Sequence, residues 1–261
     1  MERLFVLDVG NTNTSLGVYQ GDCLLASWRI RTEHRVTSDE LGLQFRILLS
    51  TLEPSLQVTH CILSCVVPPL LNTFVRAIET YFKVSPLVVG PGIKTGIPIR
   101  YEDPRELGAD RIANAVAAVH RYQSPLIIVD LGTATTLSVI DDAGQYLGGA
   151  IAPGLMTGAT ALFESASRLP QVDMVWPHRL VERSTTLSMQ AGILFGAVAM
   201  VDGLVHRVKR ELDLPFHVVV TGGLSHLIAD RLETVHHIDP HLTLEGLRLL
   251  WARNTYKPRT S

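Results

Sequence analysis

Short hydrophobic runs alternate with longer amphipathic stretches along the chain. The short aliphatic runs are typical of buried strands, and apolar residues three and four positions apart, as at Ile112, Ala115, Val116 and Val119, predict helices. This pattern predicts strands at 4–7, 15–19, 24–30, 60–67, 86–90, 126–130, 136–141, 146–151 and 216–220. It predicts helices over 38–52, 70–82, 108–122 and 186–211, one that starts at 153 and one after 223. The first half therefore has the order β-β-β-α-β-α-β, and the pattern restarts at 126.

Two of the aliphatic runs lead into the same kind of loop. In LFVL-DVGNTNT at 4–14 and LIIV-DLGTATT at 126–136, an aspartate ends the strand and a glycine follows two residues later. Asp130 lies 122 residues after Asp8, and the same offset matches Leu4 with Leu126, Gly10 with Gly132 and Thr14 with Thr136. SLGVY and TLSVI come next, so each loop is predicted to join the two strands of a hairpin. One Asp-x-Gly turn is common in β-proteins, but two copies between matched strands indicate a repeated functional element.

The residue types in these loops suit a phosphate. Glycine lets the backbone pass close to a ligand, and small hydroxyl and amide side chains add donors to the backbone N–H groups. A carboxylate repels a phosphate, so Asp8 and Asp130 imply an intervening cation. Two facing copies predict a cleft for a metal-bound nucleotide.

Composition narrows the class of protein. The chain has 261 residues, 46% of them hydrophobic and 18% charged, and a formal net charge of −2, which gives no electrostatic case for binding nucleic acid or membrane. The break between halves falls near 123–125, which predicts domains 1–122 and 123–261. Three cysteines without an export signal predict reduced thiols and a cytoplasmic location. The apolar stretch 191–205 contains Asp202 and is interpreted as a buried helix too short to cross a bilayer.

Five segments together resemble a known family. DVGNTNTSLGVY, GADRIANA, VDLGTATT, GGAIAPGL and VVVTGG, in this order and at these spacings, resemble type III pantothenate kinase, the family of the Bvg accessory factor proteins within the actin, sugar kinase and Hsp70 superfamily. The resemblance covers nearly the whole chain. It implies a two-domain ribonuclease-H-like α/β fold, with duplicated ββαβα-type halves and a nucleotide cleft between them.

The same resemblance implies an activity and its ligands. The family phosphorylates pantothenate to 4′-phosphopantothenate with ATP, the first step of coenzyme A synthesis. It works as a homodimer and uses Mg²⁺ together with a monovalent cation, K⁺ or NH₄⁺. The expected partners are therefore ATP, pantothenate and a second copy of the chain, with no nucleic acid and no membrane.

Family roles carry over to particular residues. Asp110, within GADR, matches the catalytic base, Asp8 the residue that holds Mg²⁺ through water, and Asp130 the monovalent-cation ligand. The other implied nucleotide contacts are Val9, Gly10, Asn11, Thr12, Asn13, Thr14, Ser15 and Thr133. The other implied substrate contacts are Tyr101, Gly108, Ala109, Arg111 and Thr185. Arg111 is a forked donor suited to the pantothenate carboxylate.

Some of these residues also have a purely structural interpretation. Asp110 opens a predicted helix, where carboxylates are common and the helix start favours the ionised form. Gly222 and Gly223 follow a strand and suit either a flat ligand or a tight turn. His60, Cys61 and Cys65 are interpreted as strand residues rather than zinc ligands, because Cys61 and Cys65 alternate along an apolar strand.

The chain departs from the family pattern at two places. Leu137 and Ser138 stand where an aromatic residue and an aspartate are usual, and the VERS segment with Glu182 lacks the usual glycine. We expect these departures to alter the details of the substrate pocket more than the reaction that is catalysed. Two other functions stay open: a regulatory nucleotide-binding relative without turnover, and a kinase for another small hydroxy acid.

Overall fold

The structure is a computed structural model that describes residues 2–52 and 57–255, and it divides into two compact units. Unit 1 contains the chain through Gly96, Glu102–Ala117 and the chain from Leu242, and unit 2 contains Ile97–Tyr101 and Ala118–His241. This division differs from the predicted boundary between 122 and 123. The difference arises because a C-terminal helix packs within unit 1 and because the segment 97–101 lies along a strand of unit 2.

Unit 1 is built on a five-stranded sheet. Its strands are β1 (Leu4–Val9), β2 (Asn13–Gln20), β3 (Cys23–Arg31), β4 (His60–Cys65) and β5 (Leu87–Val88). Their order across the sheet is β3-β2-β1-β4-β5. The first three strands pair antiparallel, whereas β4 runs parallel to β1 and β5 runs parallel to β4. The predicted hairpin and the two later strands are therefore confirmed, with β5 shorter than predicted.

Seven α-helices lie within the described residues. They are α1 (Ser38–Ser50), α2 (Pro68–Phe82), α3 (Ala109–Arg121), α4 (Leu155–Ser165), α5 (Thr185–Leu212), α6 (Ser225–Ile228) and α7 (Leu242–Thr255). The start of α1 is fixed by a capping box, in which Thr37 Oγ1 accepts from Glu40 N at 3.2 Å and Glu40 Oε2 accepts from Thr37 N at 2.8 Å. Proline at the first position starts α2, and Lys83 in the left-handed region (φ 59°) ends it.

The two faces of the unit 1 sheet are covered by different helices. On one face α1 and α2 bury a cluster that includes Phe5, Phe45 and Phe74, whose rings meet at centroid distances of 5.5 and 6.0 Å. α7 contacts β1, β2 and β4. A Cβ at Gly246 of α7 would overlap the backbone of Ala113, so glycine at this position lets α7 lie directly against α3.

Unit 2 repeats the plan of unit 1. Its strands are β6 (Leu126–Leu131), β7 (Ala134–Ile140), β8 (Tyr146–Pro153), β9 (His217–Thr221) and β10 (His237–Ile238), in the order β10-β9-β6-β7-β8. β6, β7 and β8 pair antiparallel, and β9 is parallel to β6 and to β10. Starting from the edge strand next to the hairpin, the order β8-β7-β6-β9-β10 corresponds strand by strand to β3-β2-β1-β4-β5 of unit 1. This confirms the duplicated halves predicted from the repeat. β10 was not predicted because two residues leave no periodicity to read.

α5 (Thr185–Leu212) matches the helix predicted over 186–211 to within one residue at each end. It has 28 residues, and among the described helices it is the one long and apolar enough, by length and composition, to cross a membrane. The apolar stretch 191–205, interpreted from the sequence as part of a buried helix, forms the middle of α5. Leu194, Val201 and Val205 of α5 belong to the core of unit 2. The buried Asp202 accepts hydrogen bonds from Glu233 N and from Thr234 N and Oγ1, at 3.1, 3.1 and 2.7 Å, as in a helix packed within a folded unit.

Candidate active site

The first loop is held in shape by the residues that follow β3. Thr32 Oγ1 donates to Gly10 O at 2.7 Å, and Thr32 N donates to Thr12 O at 3.0 Å. Gly10 N donates to Asn13 O at 3.1 Å, and a Cβ at Gly10 would lie only 2.9 Å from that oxygen, so the turn needs glycine. These bonds fix the backbone of 10–13 directly after the half-buried Asp8.

The predicted nucleotide contacts of this loop do not all face outward. Asn11 and Thr12 are exposed, and Asp8, Asn13 and Ser15 are half-buried. Val9 belongs to the hydrophobic core, and the fully buried Thr14 has its hydroxyl 3.0 Å from Thr32 Oγ1. Val9 and Thr14 could therefore meet a ligand through their backbone only.

The second loop has the same construction with different supports. Thr157 Oγ1 of α4 donates to the carbonyl of the exposed Thr133 at 2.6 Å. A Cβ at Gly154 would lie 2.6 Å from Gly132 O, so Gly154 must be glycine for α4 to start against the loop. Gly222 has a φ of +94°, and a Cβ there would overlap the Asp130 carboxylate and lie 2.5 Å from Leu131 N. The tight-turn interpretation thus accounts for Gly222, which brings the end of β9 against the Asp130 carboxylate.

The two hairpins differ by one residue. Asp8 pairs with Ser15 in the first, and Asp130 pairs with Thr136 in the second, so the second hairpin is one residue shorter. The offset of 122 residues holds for β1 and β6 but becomes 121 for β2 and β7. The structural counterpart of Thr14 is consequently the buried Thr135, and the predicted match of Thr14 with Thr136 is wrong.

Asp110 lies in the first turn of α3 in a confined position. Its Oδ1 accepts a hydrogen bond from Arg111 N at 2.8 Å, and a Cβ at Gly108 would lie 2.5 Å from the same oxygen. Burial raises the pKa of the Asp110 carboxyl, and the Arg111 N–H and guanidinium charge oppose that rise. The helix start was expected to favour ionisation, but burial outweighs this effect. Gly108 therefore makes room for a carboxylate that is costly to ionise.

The neighbours of Asp110 anchor α3 in unit 1. Arg111 is only 7% exposed, so most of its side chain is enclosed by the protein. Thr243 Oγ1 of α7 donates to Asn114 Oδ1 at 2.7 Å. The position of Asp110 thus depends on a helix that begins more than a hundred residues later, and no local sequence signal predicted this.

The predicted substrate residues of unit 2 lie in two different places. Tyr101 packs edge-on against Tyr146 with a centroid distance of 6.3 Å, and Tyr146 Oη lies 3.1 Å from Ser138 Oγ. Thr185 is the first residue of α5, where Ser184 Oγ accepts from Leu187 N at 3.3 Å. It borders an open groove of about 680 Å³ that is also lined by Glu182, Arg183, Ser188, Met189 and Gly192.

The departures from the family pattern have roles within unit 2. Leu137 is 1% exposed and belongs to the hydrophobic core, and Ser138 is buried against Tyr146. Glu182 borders the groove and lies 3.9 Å from Arg179. The first departure thus contributes to the packing around Tyr146, whose ring contacts Tyr101, whereas the second adds a carboxylate to the groove.

No cluster of three or more His, Cys, Asp or Glu side chains suited to a metal occurs in residues 2–52 and 57–255. His60 packs on Trp251 at 4.9 Å between ring centroids, and burial raises the pKa of the Cys61 thiol well above its ordinary value. Cys61 is buried in β4 and belongs to the hydrophobic core of unit 1.

These observations define a class of protein. Each sheet has an aspartate at the end of its central strand and a glycine-bearing hairpin after it. This doubled α/β arrangement is a ribonuclease-H-like fold. A Campylobacter jejuni structure described as a putative Baf family transcriptional activator aligns with a TM-score of 0.62 at 17% identity, covering 96% of this chain and 98% of that one. An activator of 2-hydroxyisocaproyl-CoA dehydratase from Clostridium difficile with bound ADPNP aligns at 0.53 and 12%, covering 99% and 100%. At these identities the likeness concerns the fold.

Sequence comparison defines the family. Residues 4–207 match the family model described as type III pantothenate kinase. A type III pantothenate kinase of Geobacillus thermodenitrificans is 51% identical over 255 residues, covering 97% of this chain and 99% of its own length. One from Myxococcus xanthus is 48% identical over 253 residues, covering 96% and 98%. The chain belongs to the type III pantothenate kinase family.

Proposed function

We propose that this protein transfers a phosphoryl group from ATP to the 4′-hydroxyl of pantothenate, the first step of coenzyme A biosynthesis. The match to type III pantothenate kinases over nearly the full length of both chains carries this proposal. The three aspartates of the resemblance, Asp8, Asp110 and Asp130, are all present, which favours a kinase over a regulatory relative without turnover.

Asp110 is proposed as the catalytic base. The transition state of phosphoryl transfer is loose, so the base mainly orients the hydroxyl and accepts its proton late. A carboxylate whose pKa is raised by burial is a stronger proton acceptor than an exposed one. The Arg111 N–H holds one carboxylate oxygen at 2.8 Å and fixes its orientation. Gly108, Ala109 and Arg111 are proposed to surround the substrate at this point, with Arg111 facing its carboxylate.

The two loops are proposed to bind the nucleotide and its cations. Mg²⁺ bound to the phosphates of ATP would neutralise part of their charge, and Asp8 would bind its water shell. The backbone of 9–15 and the exposed Thr133 would donate hydrogen bonds to phosphate oxygens. Asp130 would bind the monovalent cation, K⁺ or NH₄⁺. Tyr101 and Thr185 would contact pantothenate, and the groove beside Thr185 has polar side chains suited to its amide and hydroxyl groups.

Reduced cysteines and the nature of this metabolic step favour a cytoplasmic enzyme that binds neither nucleic acid nor membrane. Cys23, Cys61 and Cys65 are all free thiols. Reduced thiols of this kind persist in the cytoplasm, where disulfide bonds are rare.

A coupled assay tests the proposed activity and its cation requirement together. ADP release should depend on pantothenate and Mg²⁺ and be faster in KCl than in NaCl, because the larger ion loses its hydration shell more readily. ADP release only with another hydroxy acid would favour the alternative kinase, and nucleotide binding without release would favour the regulatory relative. Equal rates in the two salts would contradict the role of Asp130.

We also propose that the enzyme is a homodimer that uses the exposed face of α5. Gly192, Gly196, Ala199 and Gly203 form an exposed stripe along this helix. A Cβ built on any of its three glycines has no described atom within 4 Å other than those of its chain neighbours and of the nearby backbone of the helix itself. Ala197 and Met200, on the other side of the helix, pack against the core of unit 2. A helix face of small residues permits close approach of a second helix.

Replacing Gly196 by arginine should dissociate such a dimer. The side chain has space within one chain, so the fold should persist while sedimentation shifts from dimer to monomer. Because Thr185 begins the same helix, we expect the KM for pantothenate to rise about tenfold or more and the KM for ATP to change little. Gly196→Ala is the matched control and should remain dimeric. A wild type that sediments as an active monomer, or an unchanged pantothenate KM in a dissociated variant, would contradict the proposal.

A further inference from the structure

Two buried hydroxyl groups have no hydrogen-bond partner among residues 2–52 and 57–255. Ser64 in β4 is 0% exposed and Thr221 at the end of β9 is 1% exposed, and neither Ser64 Oγ nor Thr221 Oγ1 bonds to another described group. Burying a hydroxyl without a partner costs free energy. Such groups in folded proteins are usually satisfied by a bound water, ion or ligand.

Both hydroxyls stand beside a loop aspartate. Ser64 pairs in register with Asp8 across the parallel strands β4 and β1, and Thr221 pairs with Asp130 across β9 and β6. Residues paired in this way project from the same face of a sheet. Their strand neighbours Leu63 and Leu7 belong to the hydrophobic cluster on the opposite face of unit 1, as do Val220 and Val129 in unit 2.

Independent contacts place each strand end near the carboxylate. In unit 1, Val66 N, two residues after Ser64, donates to Val9 O at 3.0 Å, so β4 stays beside β1 past Ser64. In unit 2, the backbone of Gly222, the residue after Thr221, lies so close to Asp130 that a Cβ would overlap the carboxylate. The same arrangement therefore occurs twice, in two units whose aspartates were matched from the sequence.

We propose that Ser64 and Thr221 are positioning residues, each of which supplies a hydroxyl oxygen to the cation shell held by its neighbouring aspartate. Ser64 accepts a hydrogen bond from a water of the divalent cation at Asp8, and Thr221 offers its oxygen to the monovalent cation at Asp130. This inference rests on the cation roles given to the two aspartates above. A neutral hydroxyl beside a carboxylate adds an oxygen without adding charge, which suits hard cations.

Ser64→Ala and Thr221→Val remove one hydroxyl each with little change in side-chain volume. Their effects are measured as the ion dependence of nucleotide binding and of thermal stability. Calorimetry should show ADP binding about tenfold weaker in Ser64→Ala when Mg²⁺ is present and unchanged in EDTA, as for the loss of an outer-shell group. In Thr221→Val without nucleotide, the KCl concentration that gives half-maximal thermal stabilisation should rise about tenfold. Each variant should leave the other ion's effect unchanged.

Thr221→Ser keeps the hydroxyl and should behave as the wild type. Thr221→Ala removes it without adding a methyl group, and it repeats the test should the valine variant fail to fold. Wild-type ion dependence with an unchanged or higher melting temperature would mean that the hydroxyls are merely unsatisfied. A lower melting temperature with wild-type ion dependence would mean a structural water. Either result overturns the inference alone, whereas a wild type insensitive to Mg²⁺ and K⁺ would also overturn the roles of Asp8 and Asp130.

Discussion

Replacing Asp110 by asparagine is expected to lower kcat by about a hundred-fold or more while leaving the protein folded. Asparagine keeps the shape of the side chain and can still accept the Arg111 N–H, but it cannot accept a proton, and removal of a general base costs about 10²–10⁴-fold. Steady-state kinetics with pantothenate and Mg²⁺-ATP measure the effect. A kcat close to that of the wild type would contradict the role of Asp110 as the catalytic base.

The control for this substitution is Asp39→Asn. Asp39 also lies in the first turn of a helix, α1, but it is exposed and accepts a hydrogen bond from Tyr81 Oη at 3.0 Å. If Asp110 were only a helix-terminal carboxylate, the two variants would show similar kinetics. We expect Asp39→Asn to keep full activity.

The raised pKa of Asp110 also gives a pH signature. A base acts in its ionised form, so kcat/KM should fall as the pH is lowered through the pKa of Asp110, at a higher pH than for an ordinary aspartate. A folded-state pKa above the unfolded one means that the folded protein binds the proton more tightly. The free energy of unfolding therefore decreases as the pH rises between the two values and stays lower above them. Asp110→Asn should thus melt at the same or a higher temperature than the wild type at pH 7.

Replacing Asp8 by asparagine is expected to weaken Mg²⁺-ATP binding about 10- to 100-fold, as for the loss of a group that orders the ligands of a metal. The amide keeps the size of the side chain but carries no negative charge toward the cation. Calorimetric titration with ATP, with and without Mg²⁺, separates the loss of cation binding from a distorted loop, since only the first requires the metal.

The duplication supplies the matched comparison for this variant. Asp130→Asn makes the same chemical change in the second loop, and we expect it to alter the response to K⁺ while Mg²⁺-ATP affinity changes less. Unaltered Mg²⁺-ATP affinity in Asp8→Asn would contradict its role. Identical effects of the two variants on both ions would contradict the assignment of Mg²⁺ to the first loop and of the monovalent cation to the second.

The local pattern of hydrophobic and polar residues was sufficient to predict most of the strands and helices. β1 and β6, the hairpins that follow them and the extents of α1, α2, α3 and α5 came close to the predicted bounds, because strand and helix periodicities are visible within a few residues. The need for glycine at position 10 is local as well, since it arises from a contact with Asn13 in the same turn. A repeat of this local pattern was enough to predict duplicated halves.

The sequence by itself thus determined the two halves, their aspartate-bearing loops and the family, because each depends on residues that are close together along the chain. Only the tertiary structure placed α7 in unit 1, shifted the second hairpin by one residue and reversed the expected effect on the pKa of Asp110. It also brought Ser64 beside Asp8 and Thr221 beside Asp130. Parallel pairing and burial join segments that are distant in sequence, and a serine at the end of a strand looks the same whether its neighbour is a carboxylate or a hydrocarbon.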